Sequence, residues 1–219
     1  MDDSNQQVFD QIAAGWYGFR HHTIFREELQ ILAKRWQKGS LLNIGCGHGP
    51  DFIPFGTSFD LYGIDFSIEM IRLAKKYAAK YKFNPHLVLA DINHLPFRDE
   101  TFNNVISIAT YHHLRGKHER ITAFRELKRV MKPGGEAFLT VWNHWQPRFW
   151  LTGHDVMVPW KTKERVLYRY YHLFSYCELS NVVRQSGLHI IRSFPESSYK
   201  IPIKYFSRNI CMLVKKPLK

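Results

Sequence analysis

Cysteine is scarce in this chain, with only three residues among 219. The three are widely separated and odd in number, which argues against a disulfide framework and against a paired-cysteine metal site: Cys46, Cys177 and Cys211. Runs of about 18 apolar residues, which a membrane-spanning helix needs, are also missing. The first seven residues are polar and acidic, the opposite of a secretory signal. These absences predict a cytoplasmic protein with no membrane segment and no metal site.

Acidic residues are sparse in the last third of the chain. Residues 144–219 hold 13 Lys and Arg against 4 Asp and Glu, whereas residues 1–143 hold 18 against 15. A basic excess confined to one part of a chain predicts a large polyanionic partner beside a nearly neutral core. Nucleic acid is therefore favoured over the alternative, a merely solvated basic surface.

Internal repeats, low-complexity segments and linkers are absent from the sequence, and its length suits one domain over residues 1–219. Apolar runs alternate with helical patterns through the first 142 residues, as in a parallel doubly wound α/β sheet. The pattern predicts strands at 41–45, 61–65, 86–90, 105–109, 137–142, 188–194 and 209–215. It predicts helices at 8–36 with a break at 15–20, and at 68–81, 119–131 and 175–186. Residues 1–38 would then supply cap helices.

A long interruption follows the fifth predicted strand. Residues 143–171 are basic and aromatic without a regular pattern, and connections of that length usually carry function. We therefore predict a substrate-binding insertion over residues 143–174. The two final strands follow closely on one another, so we expect them to form an antiparallel pair at an edge of the sheet.

Three glycines follow the first predicted strand at alternate positions, Gly45, Gly47 and Gly49. Such a turn needs glycine because the backbone takes positive φ and a ligand approaches it closely. The second strand ends in Asp65, which is placed to accept hydrogen bonds from two ribose hydroxyls. The pattern predicts a nucleoside-containing cofactor. The third glycine of a dinucleotide turn is missing, but the turn alone leaves the cofactor open.

Two further segments narrow the choice. Asp91 and Ile92 follow the third strand, where an acid receives the amine of adenine and an apolar side chain covers the ring, and 132–135 (Lys-Pro-Gly-Gly) precede the fifth strand. Residues 41–142 thereby resemble class I S-adenosylmethionine-dependent methyltransferases. The resemblance implies a Rossmann-like doubly wound seven-stranded sheet, mostly parallel with an antiparallel edge strand, and S-adenosyl-L-methionine (SAM) as cofactor. The cofactor-binding residues that it implies are Asn43, Gly45, Cys46, Gly47, Gly49, Asp65, Phe66, Ser67, Asp91, Ile92 and Ala109. Asn103 and Asn104 stand where the family often has an acid.

Four other segments resemble the tRNA wobble-uridine carboxymethyl methyltransferase family, over about residues 8–187. They are 17–20 (Tyr-Gly-Phe-Arg), His112-His113 after the fourth strand, 155–160 and 168–174. This resemblance implies methylation of the carboxylate of 5-carboxymethyluridine at wobble position 34 of tRNA. It also implies a heterodimer with a small zinc-binding activator protein, and no DNA partner. Methylation of a small metabolite, or a non-catalytic subunit that binds SAM or RNA, remains an alternative.

The chemistry of that reaction suits the residues present. A 5-carboxymethyl group is ionised at neutral pH, so its oxygen is already a nucleophile and needs no general base. The enzyme has to align the reacting atoms and hold the carboxylate. The candidate catalytic residues are Arg20, His113, Asp155 and Arg169. The candidate substrate-binding residues are His112, Trp160, Tyr170 and Tyr171. The alternatives are a strand-end histidine pair, a surface arginine, an aspartate that caps a turn, and core aromatics.

Overall fold

The computed structural model describes residues 4–56, 58–201 and 203–218, so the acidic residues Asp2 and Asp3 lie outside the described part. Nine strands and five helices follow one another along it. The strands are β1 (Gly39–Ile44), β2 (Phe59–Asp65), β3 (His86–Leu89), β4 (Phe102–Ile108), β5 (Met131–Trp142), β6 (Asp155–Lys161), β7 (Val166–His172), β8 (His189–Pro195) and β9 (Asn209–Lys215). The helices are α1 (Asn5–Phe19), α2 (Arg26–Trp36), α3 (Ile68–Tyr81), α4 (Lys117–Val130) and α5 (Tyr176–Gln185).

Seven of the strands form one sheet in the order β3-β2-β1-β4-β5-β9-β8. The first five pair in parallel, and β9 pairs antiparallel with both β5 and β8. The mostly parallel seven-stranded sheet is confirmed, as is the antiparallel pairing of its last two strands. The reversed strand is β9, which lies one position in from the edge, while β8 at the edge runs parallel to β5.

Apolar residues on both faces explain why the central strands form. In β1, Leu41, Leu42 and Ile44 are fully buried, with Leu41 in one core cluster and Leu42 and Ile44 in another. A strand covered on both faces reads as a continuous apolar run, as the sequence does here. The reversal of strand order around β1 and β4 opens a crevice at their carboxyl ends, where α/β sheets bind ligands.

Local sequence signals predict the ends of one helix correctly and the end of another incorrectly. The predicted helix 68–81 is α3, and Ser67 caps it by accepting a hydrogen bond from the Met70 N–H at 3.1 Å. The predicted break at 15–20 is wrong, because α1 continues to Phe19. Gly15 is accommodated inside the helix because Trp160 packs closely over it. The break between α1 and α2 falls at 20–25 instead.

The interruption predicted as irregular contains a β-hairpin. Strands β6 and β7 pair antiparallel from Asp155↔His172 to Lys161↔Val166. Alternate residues such as Val158 and Leu167 are buried, which keeps the hairpin against the rest of the fold. Among the described residues, none of the helices is both long enough and apolar enough to span a bilayer.

Candidate active site

The glycine turn takes the backbone conformation that its sequence predicts. Gly45, Gly47 and Gly49 have φ values of 69°, 53° and 93°. A Cβ atom on Gly45 would lie 2.3 Å from Thr110 Oγ1, so a side chain there collides with the end of the neighbouring strand. A Cβ atom on Gly47 would meet nothing within 4 Å. Gly45 is therefore required for packing, and Gly47 leaves space above the turn.

We expect Gly45→Ala to abolish measurable SAM binding and to lower the free energy of unfolding by roughly 1–3 kcal/mol, because left-handed strain and a clash combine there. Calorimetric titration with SAM and chemical denaturation measure the two effects. Gly153→Ala is the matched control, since a Cβ at Gly153 meets nothing within 4 Å and its φ is not positive. Wild-type SAM affinity in the Gly45 variant would contradict the assignment.

The carboxylate of Asp65 joins the turn to the second strand. Its Oδ2 accepts from the Gly47 N–H at 2.8 Å, and its Oδ1 accepts from the Ser67 N–H at 3.0 Å. Burial raises the pKa of Asp65 to about 6, although these N–H groups oppose the shift. Each oxygen can accept a second hydrogen bond. The carboxylate is thus fixed in place with acceptor capacity left for a ligand.

A cavity of about 580 Å³ opens over this turn, in the size range of small-molecule sites. Eight of the eleven predicted cofactor residues line it: Gly45, Cys46, Gly47, Asp65, Phe66, Asp91, Ile92 and Ala109. The other three support it from behind. Asn43 is fully buried in β1, Gly49 begins a short 3-10 turn, and Ser67 caps α3.

The open space at Gly47, the anchored acceptor at Asp65 and the second acid at Asp91 fit a nucleoside-bearing cofactor. Hydrogen-bond donors and acceptors of the site, as well as its shape, match such a cofactor. Both polar side-chain atoms of Asn43 are buried without a hydrogen-bond partner among the described residues. Buried polar groups are nearly always paired, so orphaned ones directly below a turn are typical of a ligand site.

Three further residues of this wall were not predicted from the sequence. Asp51 and His48 line the cavity just after the turn, and Thr110 Oγ1 donates to the Ile44 carbonyl at 3.1 Å. Burial raises the pKa of Asp51 to about 6 and lowers that of His48 to about 4. A histidine between two glycines and an acid after Pro50 were the available signals, but only the fold shows that they face the cavity.

Arg169, beside the cavity, has no acidic partner among the described residues. Arg169 on β7 is 5% exposed and lies over the rings of Trp16, Trp160 and Tyr171, at 5.5, 5.2 and 5.4 Å. It makes no hydrogen bond with any residue of the described ranges, and its Nε is buried. Burial lowers its pKa, so the guanidinium is under-solvated and lacks a counterion.

Arg20 extends this cationic region into the cavity, which it lines together with Tyr171. Burial lowers the pKa of Arg20, the charge of Asp51 opposes that shift, and the charges of Arg208 and Arg169 add to it. Arg20, Arg169 and Arg208 are therefore close enough for their charges to interact, and Asp51 is the carboxylate whose charge acts on Arg20. Such an arrangement is suited to an incoming anion.

The two adjacent histidines carry their protons on opposite ring nitrogens. His113 Nδ1 lies 3.0 Å from the Tyr170 carbonyl oxygen, which only accepts, so Nδ1 holds the proton. Burial lowers the pKa of His113 to about 4, so at neutral pH its Nε2 is a bare acceptor. Of the candidate catalytic residues, His113 is therefore placed to accept a hydrogen bond and not to donate one to a carboxylate.

His112 has the reverse tautomer. Its Nδ1 accepts from the Trp142 N–H at 3.2 Å, and burial holds its pKa well below the ordinary value, so Nε2 carries the proton. The ring is fully buried and stacks on Tyr171 at 4.7 Å with an interplanar angle of 16°. His112 therefore supports Tyr171 and lines the cavity beside it.

Four of the eight candidate catalytic and substrate-binding residues lie outside the cavity lining: Asp155, Trp160, Arg169 and Tyr170. The Asp155 side chain is 64% exposed and accepts hydrogen bonds from the Tyr170 hydroxyl and the His172 ring. This placement removes Asp155 from the reacting atoms and turns the Tyr170 hydroxyl away from substrate. Trp160 packs on Trp16, with ring centroids 5.3 Å apart, and so joins the hairpin to α1.

Comparison with known proteins places this geometry in context. A family model described as "Methyltransferase domain" matches residues 42–139. The chain is 32% identical over 176 residues to the human protein "Probable tRNA methyltransferase 9B", covering 79% of this chain and 35% of that one. It is 27% identical over 207 residues to the "tRNA (carboxymethyluridine(34)-5-O)-methyltransferase" of Schizosaccharomyces pombe, covering 83% and 86%. The chain thus spans about a third of the length of the human relative.

Solved structures share the fold at low sequence identity. The CcbJ methyltransferase of Streptomyces caelestis matches with a TM-score of 0.79, at 15% identity and with 99% coverage of both chains. A chain from a complex between the Haloferax volcanii Trm112 methyltransferase activator and a methyltransferase matches at 0.65, with 16% identity and 99% coverage of both. In the sheet of this chain, Asp65 ends β2, the turn glycines follow β1, and Asp91 follows β3.

Proposed function

We propose that this chain is a class I SAM-dependent methyltransferase of the wobble-uridine family and that it methylates a tRNA. The proposed acceptor is the carboxylate of 5-carboxymethyluridine at wobble position 34, and the product is the methyl ester. Support comes from the relatives named above and from the basic last third of the chain. The observation that carries the proposal is the buried guanidinium of Arg169, whose charge acts on Arg20 and which makes no hydrogen bond or ion pair within the described ranges.

A carboxylate is the substrate group that this pair is suited to hold. Guanidinium groups bind carboxylate oxygens through two parallel N–H donors, and the bond is strongest where water is excluded. Arg169 is already desolvated, so binding of an anion does not have to remove water from its guanidinium group. Arg20 lines the cavity, and Arg169 packs against the lining residues Trp16 and Tyr171.

The residues of the other wall hold the cofactor. Asp65 accepts from the ribose hydroxyls, Asp91 and Ile92 receive the adenine, and the backbone at Gly45 and Gly47 borders the methionine portion. When bound, SAM supplies a methyl group on a positively charged sulfur. The chain itself needs no base, because the acceptor oxygen is already anionic; its task is alignment and exclusion of water.

The base of the nucleotide meets different groups. His113 offers its bare Nε2, which can accept from a donor such as the N3–H of uracil but cannot hold the carboxylate. Tyr171, which is stacked on His112 and only 3% exposed, borders the cavity through its edge of exposed surface and shapes the space for the base. We propose that these groups recognise the uracil while the arginines recognise its carboxymethyl group.

Exposed aromatic and basic residues outside the cavity suit single-stranded RNA. Trp145, Trp150 and Tyr205 are 47%, 51% and 53% exposed. Arg148 and Arg208 are exposed as well, and Arg148 acts on the pKa of Tyr171. Aromatic faces stack on unpaired bases, and cations meet the phosphates. We propose that an anticodon loop binds across this surface.

An activator subunit is part of the proposal. Strand β3 forms one edge of the sheet, and Leu89 on it is 48% exposed. Exposed edge strands present unpaired backbone groups that favour addition of another chain. We propose β3 as the place where a small activator protein binds.

Methyl transfer from labelled SAM tests the function directly. The substrates are tRNA that carries 5-carboxymethyluridine and the same tRNA without it, each with and without the activator. We expect label only on the modified tRNA, in a form that mild base releases, as an ester does. Absence of label under both conditions would reject the proposal. Labelling of small carboxylic acids instead would favour a metabolite methyltransferase, and SAM binding without any turnover would favour a non-catalytic subunit.

A further inference from the structure

A second cluster of polar side chains lies outside the active-site cavity. His154 precedes β6, His172 ends β7, and Glu178 lies in the first turn of α5. Each offers one donor atom, and the three atoms lie within 4.8 Å of one another. None of these residues lines the cavity, and the proposed methyl transfer uses none of them.

We propose that His154, His172 and Glu178 bind a divalent transition-metal ion, with Zn²⁺ the best match. Two imidazoles and one carboxylate are a ligand set that Zn²⁺ takes with solvent in the fourth position. The side chain of His154 is 47% exposed, so the site is reachable from solvent. His172 is 6% exposed, which gives the ion one ligand fixed by the fold.

The surroundings of His172 have the form of an outer ligand shell. Its Nε2 lies 2.7 Å from Glu178 Oε1, and its Nδ1 lies 2.7 Å from Asp155 Oδ1. Metal-binding histidines usually donate their other N–H to a carboxylate, which fixes the ring and makes it more basic. Asp155 therefore has a role here that its distance from the cavity denies it in methyl transfer.

Ion binding would replace existing contacts of the cluster. Both ring nitrogens of His172 lie 2.7 Å from carboxylate oxygens, and the contact between Nε2 and Glu178 is the one that the ion would replace. His154 Nδ1 lies 3.6 Å from Glu178 Oε2 and 2.7 Å from the Leu173 carbonyl oxygen.

The positive charge of Arg120 lies near the site and weakens its affinity for a cation without occupying the position of the ion. Arg120 Nη2 lies 3.7 Å from Glu178 Oε1, beyond hydrogen-bonding range, and Nη1 donates to the Leu114 carbonyl at 3.2 Å. Glu178 and Asp155 supply two negative charges against it. An ion here would fasten the β6–β7 hairpin to α5, next to Tyr171 on the same strand as His172.

Zinc titration of the full chain tests the site. Chain stripped with a chelator is titrated with Zn²⁺ in competition with a chromophoric chelator, and thermal unfolding is measured with and without Zn²⁺. We expect one equivalent to bind and the unfolding midpoint to rise, because the ion binds only the folded chain. His154→Ala and Asp155→Asn should each weaken binding by about tenfold or more.

Two control variants separate this site from other zinc ligands. His189→Ala removes an exposed histidine on β8, and Cys177→Ser removes the exposed thiol beside Glu178; both should bind like the wild type. Failure of the wild type to bind one equivalent, or equal affinity in the His154 variant, would overturn the proposal. Neither result depends on methyl transfer, so the proposed function stands or falls separately.

Discussion

Arg169→Met lowers kcat/KM for methylation of 5-carboxymethyluridine tRNA by roughly 30- to 5000-fold, while SAM affinity stays within about twofold. Removing one partner of a buried charged pair costs about 2–5 kcal/mol, which sets this range. Met preserves apolar contact with the three rings around Arg169. Single-turnover kinetics with saturating SAM, together with calorimetric SAM titration, measure the two quantities.

A lysine at the same position separates charge from geometry. Arg169→Lys keeps the positive charge over the aromatic rings but loses the forked donors, so we expect it to recover less than about a tenth of the lost activity. Arg184→Met on the exposed face of α5 is the matched control. Equal losses of SAM binding and turnover would mean that Arg169 supports the fold, and the proposed carboxylate site would then be wrong.

The cofactor half of the site was predictable because its signals are local. Positive φ at Gly45, Gly47 and Gly49 follows from the short spacing between a buried strand and the turn. Asp65 must lie at the carboxyl end of β2 once that strand pairs in parallel with β1. No long-range contact has to be guessed for these placements, so the sequence specifies them.

The substrate half was predicted less well because it depends on one unrecognised hairpin. The pairing of β6 with β7 decides which face of the hairpin each side chain occupies, and the resemblance to the family's motifs does not distinguish one polar or aromatic residue of 155–172 from another. Pairing sends Arg169 and Tyr171 toward the active site but leaves Asp155 exposed at the hairpin end. Successive side chains of a strand point to opposite faces, so a residue's position in the strand decides whether it faces the active site or the other side of the hairpin.

The proton positions of His112 and His113 could not be derived from sequence at all. Both residues follow the same strand and have the same chemistry, yet one accepts from a backbone N–H and the other donates to a backbone carbonyl. The difference arises from Trp142 and Tyr170, which come from β5 and β7. Tautomer assignment therefore required the packed structure.

Asp65→Asn weakens SAM binding by about 100-fold or more. Two hydrogen bonds to a charged acceptor contribute about 1.5–3 kcal/mol each, and the amide replaces one acceptor with a donor. The change also sets an N–H donor against the Gly47 or Ser67 N–H that the carboxylate accepts from. Asp60→Asn, an exposed acid on the same strand, should bind SAM like the wild type.

The pH dependence of SAM binding identifies the acid responsible. Burial raises the pKa of Asp65 to about 6 in the cofactor-free chain, and only the ionised carboxylate accepts from both ribose hydroxyls. Affinity should therefore be constant above this pKa and fall as pH drops through it, approaching about tenfold per pH unit at lower pH. Asp51 has a raised pKa of about 6 in the same cavity, so Asp51→Asn is the necessary comparison. The titration should persist in Asp51→Asn and vanish in Asp65→Asn; the reverse pattern would transfer the ribose contact to Asp51.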